Sequence, residues 1–222
     1  LAAELHHVIE SVKEYGYLNI PKHHLDVHLI EASPKILPQL PEKVSARAQS
    51  VLDKIGIKLH LGVQVKEVTV QGFVTPDGDV IEASLKVWAA GVKGPAVCAK
   101  FTSLPITPRN QIDVDACMRV KGQEDIYAIG DCAALILENG KAVPPRAQSA
   151  DQMADRLYKN IVNRLQDKAE LPFVYKDYGS LVSLSRFSAV GNLMGNLRSG
   201  DFFIEGHVAR LMYVSLYQRH LG

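Results

Sequence analysis

The run Ile126-Tyr127-Ala128-Ile129-Gly130-Asp131 constrains this chain more than any other stretch, with small residues Ala133 and Ala134 close behind it. An apolar strand that stops at Gly-Asp brings one carboxylate to its carboxyl end, where open α/β sheets hold their ligands. Gly130 lets another group approach the backbone with no Cβ in the way. An Asp ahead of a small-residue turn also suits a helix N-cap, so the run by itself leaves both readings open.

A chain of 222 residues, 47% apolar and 22% charged, has ordinary globular composition and enough length for one large core or two modest ones. Lys+Arg 25 against Asp+Glu 24 gives a formal charge of +1, which excludes a global electrostatic footprint for nucleic acid. Cys98, Cys117 and Cys132 form no CxxC pair and have no His at metal-ligand spacing, so they read as reduced thiols in a packed interior. His6-His7 and His23-His24 are neighbours in sequence without a third ligand, and they read as surface or core histidines rather than a metal site.

The order of elements predicts an α/β fold. An opening helix carries apolar positions at Leu1, Leu5, Val8, Ile9 and Val12, and a loop from Gly16 to Lys22 leads to a strand at 25–31 ending in Glu31. A helix over 42–55 is stopped by Gly56. Short strands follow at 58–61, 65–70 and 73–75, with Asp77-Gly78 turning into 80–81, and a further strand over Leu85–Ala90 is closed by Gly91. This looks like a nucleotide-binding α/β unit without its first strand. Strands at 112–114 and 116–120 precede the 126–131 run. Pro144-Pro145 then opens a long helix with Ala147, Ala150, Met153, Ala154, Leu157, Ile161, Val162 and Leu165 on one face. Strands through 178–190, a Gly191-Asn192 turn, a strand at 202–205 and a helical tail from His207 complete the chain.

Three places carry chemistry. Glu31 stands where a strand-end acid of a dinucleotide-binding unit bonds the ribose hydroxyls of NAD and repels a 2′-phosphate; otherwise it is a solvated strand end. Trp88-Ala89-Ala90-Gly91-Val92 offers small residues against which a flat ring can lie, although a tight turn out of a strand asks for the same residues. The helix opened by Pro144-Pro145-Arg146-Ala147-Gln148 presents a positive dipole end, and Gln148 in its first turn can donate to or accept from a bound carbonyl.

These segments, together with Gln152 and Gly179-Ser180-Leu181-Val182-Ser183-Leu184-Ser185, resemble in family order the type II NADH dehydrogenases, single-subunit FAD-dependent NADH:quinone oxidoreductases. The chain departs from many relatives at Val120-Lys121, which stand in place of a threonine. The resemblance implies an incomplete two-dinucleotide-binding, Rossmann-like flavoprotein fold with part of a C-terminal α+β domain. Residues 1–92 would be an NADH domain lacking its first strand and glycine loop, 93–171 the returning segment of the FAD domain, and 172–222 the start of the C-terminal domain. It implies FAD and NADH as cofactors, with Glu31 at the adenosine ribose, Ala90 and Gly91 near the stacked rings, Gly130, Asp131 and Ala147 at FAD, and Gln148 at flavin or quinone.

The parent enzyme would pass electrons from NADH to a respiratory quinone such as ubiquinone without pumping protons. It would sit peripherally on the cytoplasmic face of the bacterial inner membrane through a segment beyond these residues, and the resemblance allows a homodimer. The chain alone is expected to be an inactive piece of that enzyme. The alternatives are a soluble reductase of the same superfamily, acting on ferredoxin or a disulfide, and a fold module that binds nothing.

Overall fold

The structure, a computed structural model, describes residues 1–15, 26–185, 188–193 and 202–221. Its first elements are α1 (Ala2–Glu14), β1 (His28–Glu31), α2 (Glu42–Lys54), β2 (Lys58–Leu61), β3 (Glu67–Val68), β4 (Gly72–Val74) and β5 (Val80–Glu82). There follow β6 (Ile112–Asp113), β7 (Ala133–Ala134), α3 (Ala147–Leu165), β8 (Ser180–Ser185), β9 (Ser188–Leu193), β10 (Phe202–Glu205) and α4 (Gly206–Leu221). The chain divides into two compact units, Leu1–Val87 with Asp177–Gly222, and Trp88–Lys176.

In the first unit, β1 and β2 pair in parallel, Glu31 opposite Leu61, and α2 is the connection that such a pair requires. The helix ends as its sequence indicates. Gly56 takes φ +82°, and the Ile57 N–H reaches back to the Leu52 carbonyl at 3.0 Å, which closes the last turn. Val44, Ala48 and Leu52 recur at helical spacing and bury with Ala3, Ile36, Ile57 and Leu184. Buried Ser45 donates to the Ile36 carbonyl at 2.6 Å, so its hydroxyl enters the core satisfied. The meander β3-β4-β5 turns at Gly78 as expected, and a Cβ at Gly72 would stand 2.1 Å from the Ile81 carbonyl oxygen.

Several expectations for this unit change. The 25–31 strand begins at His28, with Leu25 and the Gly16–Lys22 loop outside the described residues. The 65–70 strand shrinks to two residues. Among the described side chains of α1 the buried one is Ala3, while Val8 and, just before the helix, Leu1 are exposed. Gly191 and Asn192 form no turn. They lie within β9, paired on one side with Leu181 and Ser180 and on the other with Ile204 and Phe203, and two-sided ladder pairing outweighs their turn propensity. Ser183 donates to Glu4 Oε1 at 2.6 Å, fixing β8 on α1, and Leu184 enters the shared core.

His28 and His60 make a pair across β1 and β2, Nδ1 to Nε2 at 3.0 Å with rings stacked 5.1 Å apart at 16°. One proton between the two nitrogens is favourable, and a second sets two cations face to face. Burial, followed by the His60 and Lys58 charges, holds His28 below the ordinary imidazole value. The unfolded chain therefore takes up this proton first, so the pair's stability is intact above the ordinary imidazole value and is lost as pH falls through the folded one. Thermal midpoints measured from about pH 7 to 5 should fall less steeply in His60→Gln than in the parent. Parallel pH profiles would remove His60 from this account.

The second unit has a core of Met118, Val120, Val114, Leu135, Met153 and Phe173 with neighbouring Cys98 and Ile112. Met118 and Met153 are fully buried, each contributing roughly 1.5–3 kcal/mol by area. β6 and β7 pair in parallel, and single bridges join Val114 to Val120 and Arg119 to Tyr127. Residues 116–118 form a tight turn, and only 119 and 120 of the expected 116–120 strand make single bridges. Asp115 Oδ1 accepts from the Cys117 and Arg119 N–H groups at 2.8 and 2.9 Å, and this local bonding competes with a ladder.

Two further expected strands, 85–90 and 126–131, are corrected as well. Leu85–Ala90 is extended but has no ladder partner among the described residues, and Leu85 and Trp88 are exposed. The 126–131 run is not a buried strand either. Ile126 is exposed, only Ala128 is buried, and the Val120 N–H to Ile126 and Ala128 N–H to Met118 bonds secure one edge alone. Apolar sequence makes a strand only where a second edge is present to pair with it.

Candidate functional site

Gly130 turns the chain out of the extended run at φ +71°, a left-handed conformation that favours glycine. Gly130–Cys132 then forms one turn of 3-10 helix leading directly into β7. Asp131 therefore stands at the amino end of a short strand rather than at the carboxyl end of a long one. Its side chain is exposed, and its backbone carbonyl is held by Gln111 Nε2 at 2.9 Å.

The first turn of α3 lies against this corner. A Cβ placed on Gly130 would meet the Ala150 Cβ at 3.5 Å, an ordinary contact, so φ and not space makes glycine necessary here. The helix starts at Ala147, two residues after Pro145. Arg146 is its extended N-cap, at φ −144° and ψ 151°, and makes no side-chain cap bond. Ala147 and Gln148 are the first two helical residues, Ala147 exposed and Gln148 half-buried. Deeper in the helix Met153 and Asn160 are buried, whereas Ala154, Ile161 and Leu165 from the expected stripe are exposed. Asn160 earns its interior place through two bonds to Leu171, donating to its carbonyl at 2.9 Å and accepting its N–H at 3.0 Å.

Between the corner and the helix start lies a narrow recess lined by Gln111, Gly130, Asp131, Pro144, Pro145 and Ser149. Ser149 is the residue that sequence reasoning missed. It is 2% exposed, and its Oγ has no hydrogen-bond partner among the described residues. A small polar residue at the third position of a helix gives no signal in a sequence pattern.

Ala90 and Gly91 belong to this second unit, in the exposed extended stretch. Gly91 takes φ +78°, and Trp88 Nε1 donates to the Ala90 carbonyl at 3.0 Å, folding the indole over the turn. The stretch is anchored just beyond, where the Gly94 N–H donates to the Arg109 carbonyl at 2.8 Å. Glu31 belongs to the first unit, half-buried at the carboxyl end of β1, where Oε1 accepts the Ser33 N–H at 2.9 Å. That bond orients the carboxylate at the strand end.

The cysteines are free. Burial holds the Cys117 and Cys132 thiols above their usual value, and Cys132 Sγ lies 3.2 Å from the Ile129 carbonyl. Both are protonated at neutral pH and are not thiolate nucleophiles. Among the described residues no cluster of three His, Cys, Asp or Glu could hold a metal ion, and no helix is long and apolar enough to cross a membrane.

Over 220 residues the chain is 42% identical to a type II NADH:quinone oxidoreductase of Haemophilus influenzae, covering 99% of this chain and 50% of that protein. It is 29% identical to the type II NADH:quinone oxidoreductase Ndh of Mycobacterium tuberculosis, covering 100% of this chain and 48% of the relative. The chain thus spans about half the length of the curated relatives it matches. In fold it matches the structure of NDH2 from Plasmodium falciparum in complex with NADH, with TM-score 0.80 at 18% identity over 97% of this chain and 58% of that one. It also matches the sulfide:quinone oxidoreductase of Aquifex aeolicus, with TM-score 0.71 at 16% identity over 98% of this chain and 52% of that one. Residues 5–154, more than half of the chain, match the family described as pyridine nucleotide-disulphide oxidoreductase, and to that family, with its Rossmann-type flavoprotein fold, the chain belongs.

Proposed function

We propose that the protein to which this sequence belongs is an FAD-dependent NADH:quinone oxidoreductase, peripherally bound to the cytoplasmic face of a bacterial membrane. The observation that carries the reading is the corner at Gly130-Asp131 set against the start of α3, in a chain whose relatives bear that name. The residues there suit a flavin dinucleotide. Small and exposed Ala147 leaves backbone open to a planar ring, as do Ala90 and Gly91 elsewhere in the same unit, Asp131 offers an acceptor for hydroxyls, and Ser149 Oγ is a buried donor with no partner among the described residues.

FAD, when bound, would supply the redox chemistry between NADH and a quinone. The chain's own part is to bind and orient. Glu31, steadied by Ser33, accepts hydrogen bonds from the adenosine ribose and repels a 2′-phosphate. The N-terminal end of α3 favours negative charge near the ring, and Gln148 in that turn hydrogen-bonds a carbonyl. Residues 1–92, 93–171 and 172–222 serve in this reading as NADH-binding, FAD-binding and C-terminal segments of a longer enzyme that does not pump protons.

In the full-length protein, NADH should bleach the flavin absorbance under anaerobic conditions, and a short-chain quinone should restore it. Glu31→Gln should raise KM for NADH and partly relax the rejection of NADPH, by about 1–3 kcal/mol in the ratio of kcat/KM values. Bleaching restored by ferredoxin or a disulfide but not by quinone would overturn the quinone reading, and unchanged kinetics in the variant would make Glu31 a solvated strand end.

A further inference from the structure

A serine near the start of a helix usually satisfies its hydroxyl by back-bonding to a carbonyl of the preceding turn or by capping an N–H group. Ser149 does neither. Its Oγ is buried without a partner among the described residues, although its own N–H is used, donating to the Arg146 carbonyl at 2.9 Å. An orphaned hydroxyl of this kind is unfavourable in the folded chain, so an alanine in its place would stabilise the protein alone.

Ser149 lines the recess beside Gly130 and Asp131, and Pro144 and Pro145 form a wall that has no N–H to offer. Met153, one turn further on, closes the recess with apolar surface. Gln111 is already engaged with the Asp131 and Ala133 carbonyls, at 2.9 and 3.4 Å. The recess is narrow, too slim for a ring but wide enough for a single oxygen atom. A donor at the positive end of a helix selects an acceptor, and preferably an anionic or strongly polarised one.

We infer that Ser149 is a cofactor-binding residue, its hydroxyl donating a hydrogen bond to an acceptor oxygen on the ribityl-diphosphate chain of bound FAD. This rests on the flavin reading above. Asp131, which can only accept when ionised, and Ser149, which donates, then divide the chain's hydroxyls and its acceptor oxygens between them. Ser149 is a binding residue here, and no step of electron transfer depends on it.

The experiment uses full-length protein stripped of flavin, in the parent and in Ser149→Ala and Ser149→Thr. FAD is titrated by flavin fluorescence, and thermal midpoints are read with and without FAD. Ser149→Ala should weaken FAD binding about tenfold while the flavin-free protein melts at the same temperature or higher, so that the gain on adding FAD shrinks. Ser149→Thr, which keeps a hydroxyl, should lie between parent and alanine. An FAD Kd changed less than about twofold in Ser149→Ala overturns the assignment, as does a flavin-free Ser149→Ala protein that melts lower or fails to fold, which would make the hydroxyl part of the fold. A parent protein that takes up no FAD overturns the flavin reading itself, a failure visible before any substitution is made.

Discussion

Full-length protein carrying Gln148→Leu should be reduced by NADH at close to the parent rate, while its reoxidation by a short-chain quinone slows about tenfold or more, some 1.4 kcal/mol of barrier. The asymmetry follows from where Gln148 stands. It is the second residue of α3, half-buried on the first turn, at the end of the helix that favours negative charge. An amide beside a quinone carbonyl gains in strength as that oxygen becomes negative, so its loss is felt in the transition state more than in the resting complex. Leucine keeps the volume and removes the donor. Stopped-flow measurement of the two half-reactions separates the cases: equal reoxidation rates make Gln148 an ordinary helix-start residue, and a variant that loses its flavin makes it a structural contact.

Gly94→Ala should be among the most destabilising single-methyl changes in the chain, by about 3 kcal/mol. A Cβ there would stand 2.0 Å from the Asn110 carbonyl oxygen and 2.6 Å from its carbon. Both are backbone atoms, and the Gly94 N–H is already bonded to Arg109, so neither segment can retreat without breaking the contact that anchors the Ala90-Gly91 stretch. Gly122→Ala is the control. Its φ is +77° with nothing within 4 Å of an added Cβ, so it should lose only the left-handed backbone penalty of about 1–2 kcal/mol. Urea unfolding of both variants would expose the difference, and equal losses would show that close approach at Gly94 is not the controlling term.

Much of the first unit was legible because its signals are local. The 42–54 helix with its Gly56 stop, the parallel partner at 58–61 and the Gly78 hairpin depend on apolar spacing and on one residue able to adopt positive φ. The candidate site was legible as residue types, since Gly130-Asp131 and Ala147-Gln148 could be singled out from the sequence alone. Their proximity was not, because nothing in residues 130–150 states that a 3-10 turn and a helix start will meet.

By itself the sequence determined the order of most elements, the turn glycines Gly56 and Gly78, and the family to which the chain belongs, whereas at Gly130 it indicated only room for close approach and not the left-handed backbone. Tertiary structure alone decided which apolar residues are core and which strands exist. Leu85–Ala90 and 126–131 read as buried strands, yet a strand is a property of two edges, and where a ladder partner is lacking the same residues lie extended and partly exposed. The buried face of α3 runs through Ser149, Met153 and Asn160, two of them polar, because burial follows the partners available in space: Asn160 finds both groups of Leu171, and Ser149 finds none among the described residues.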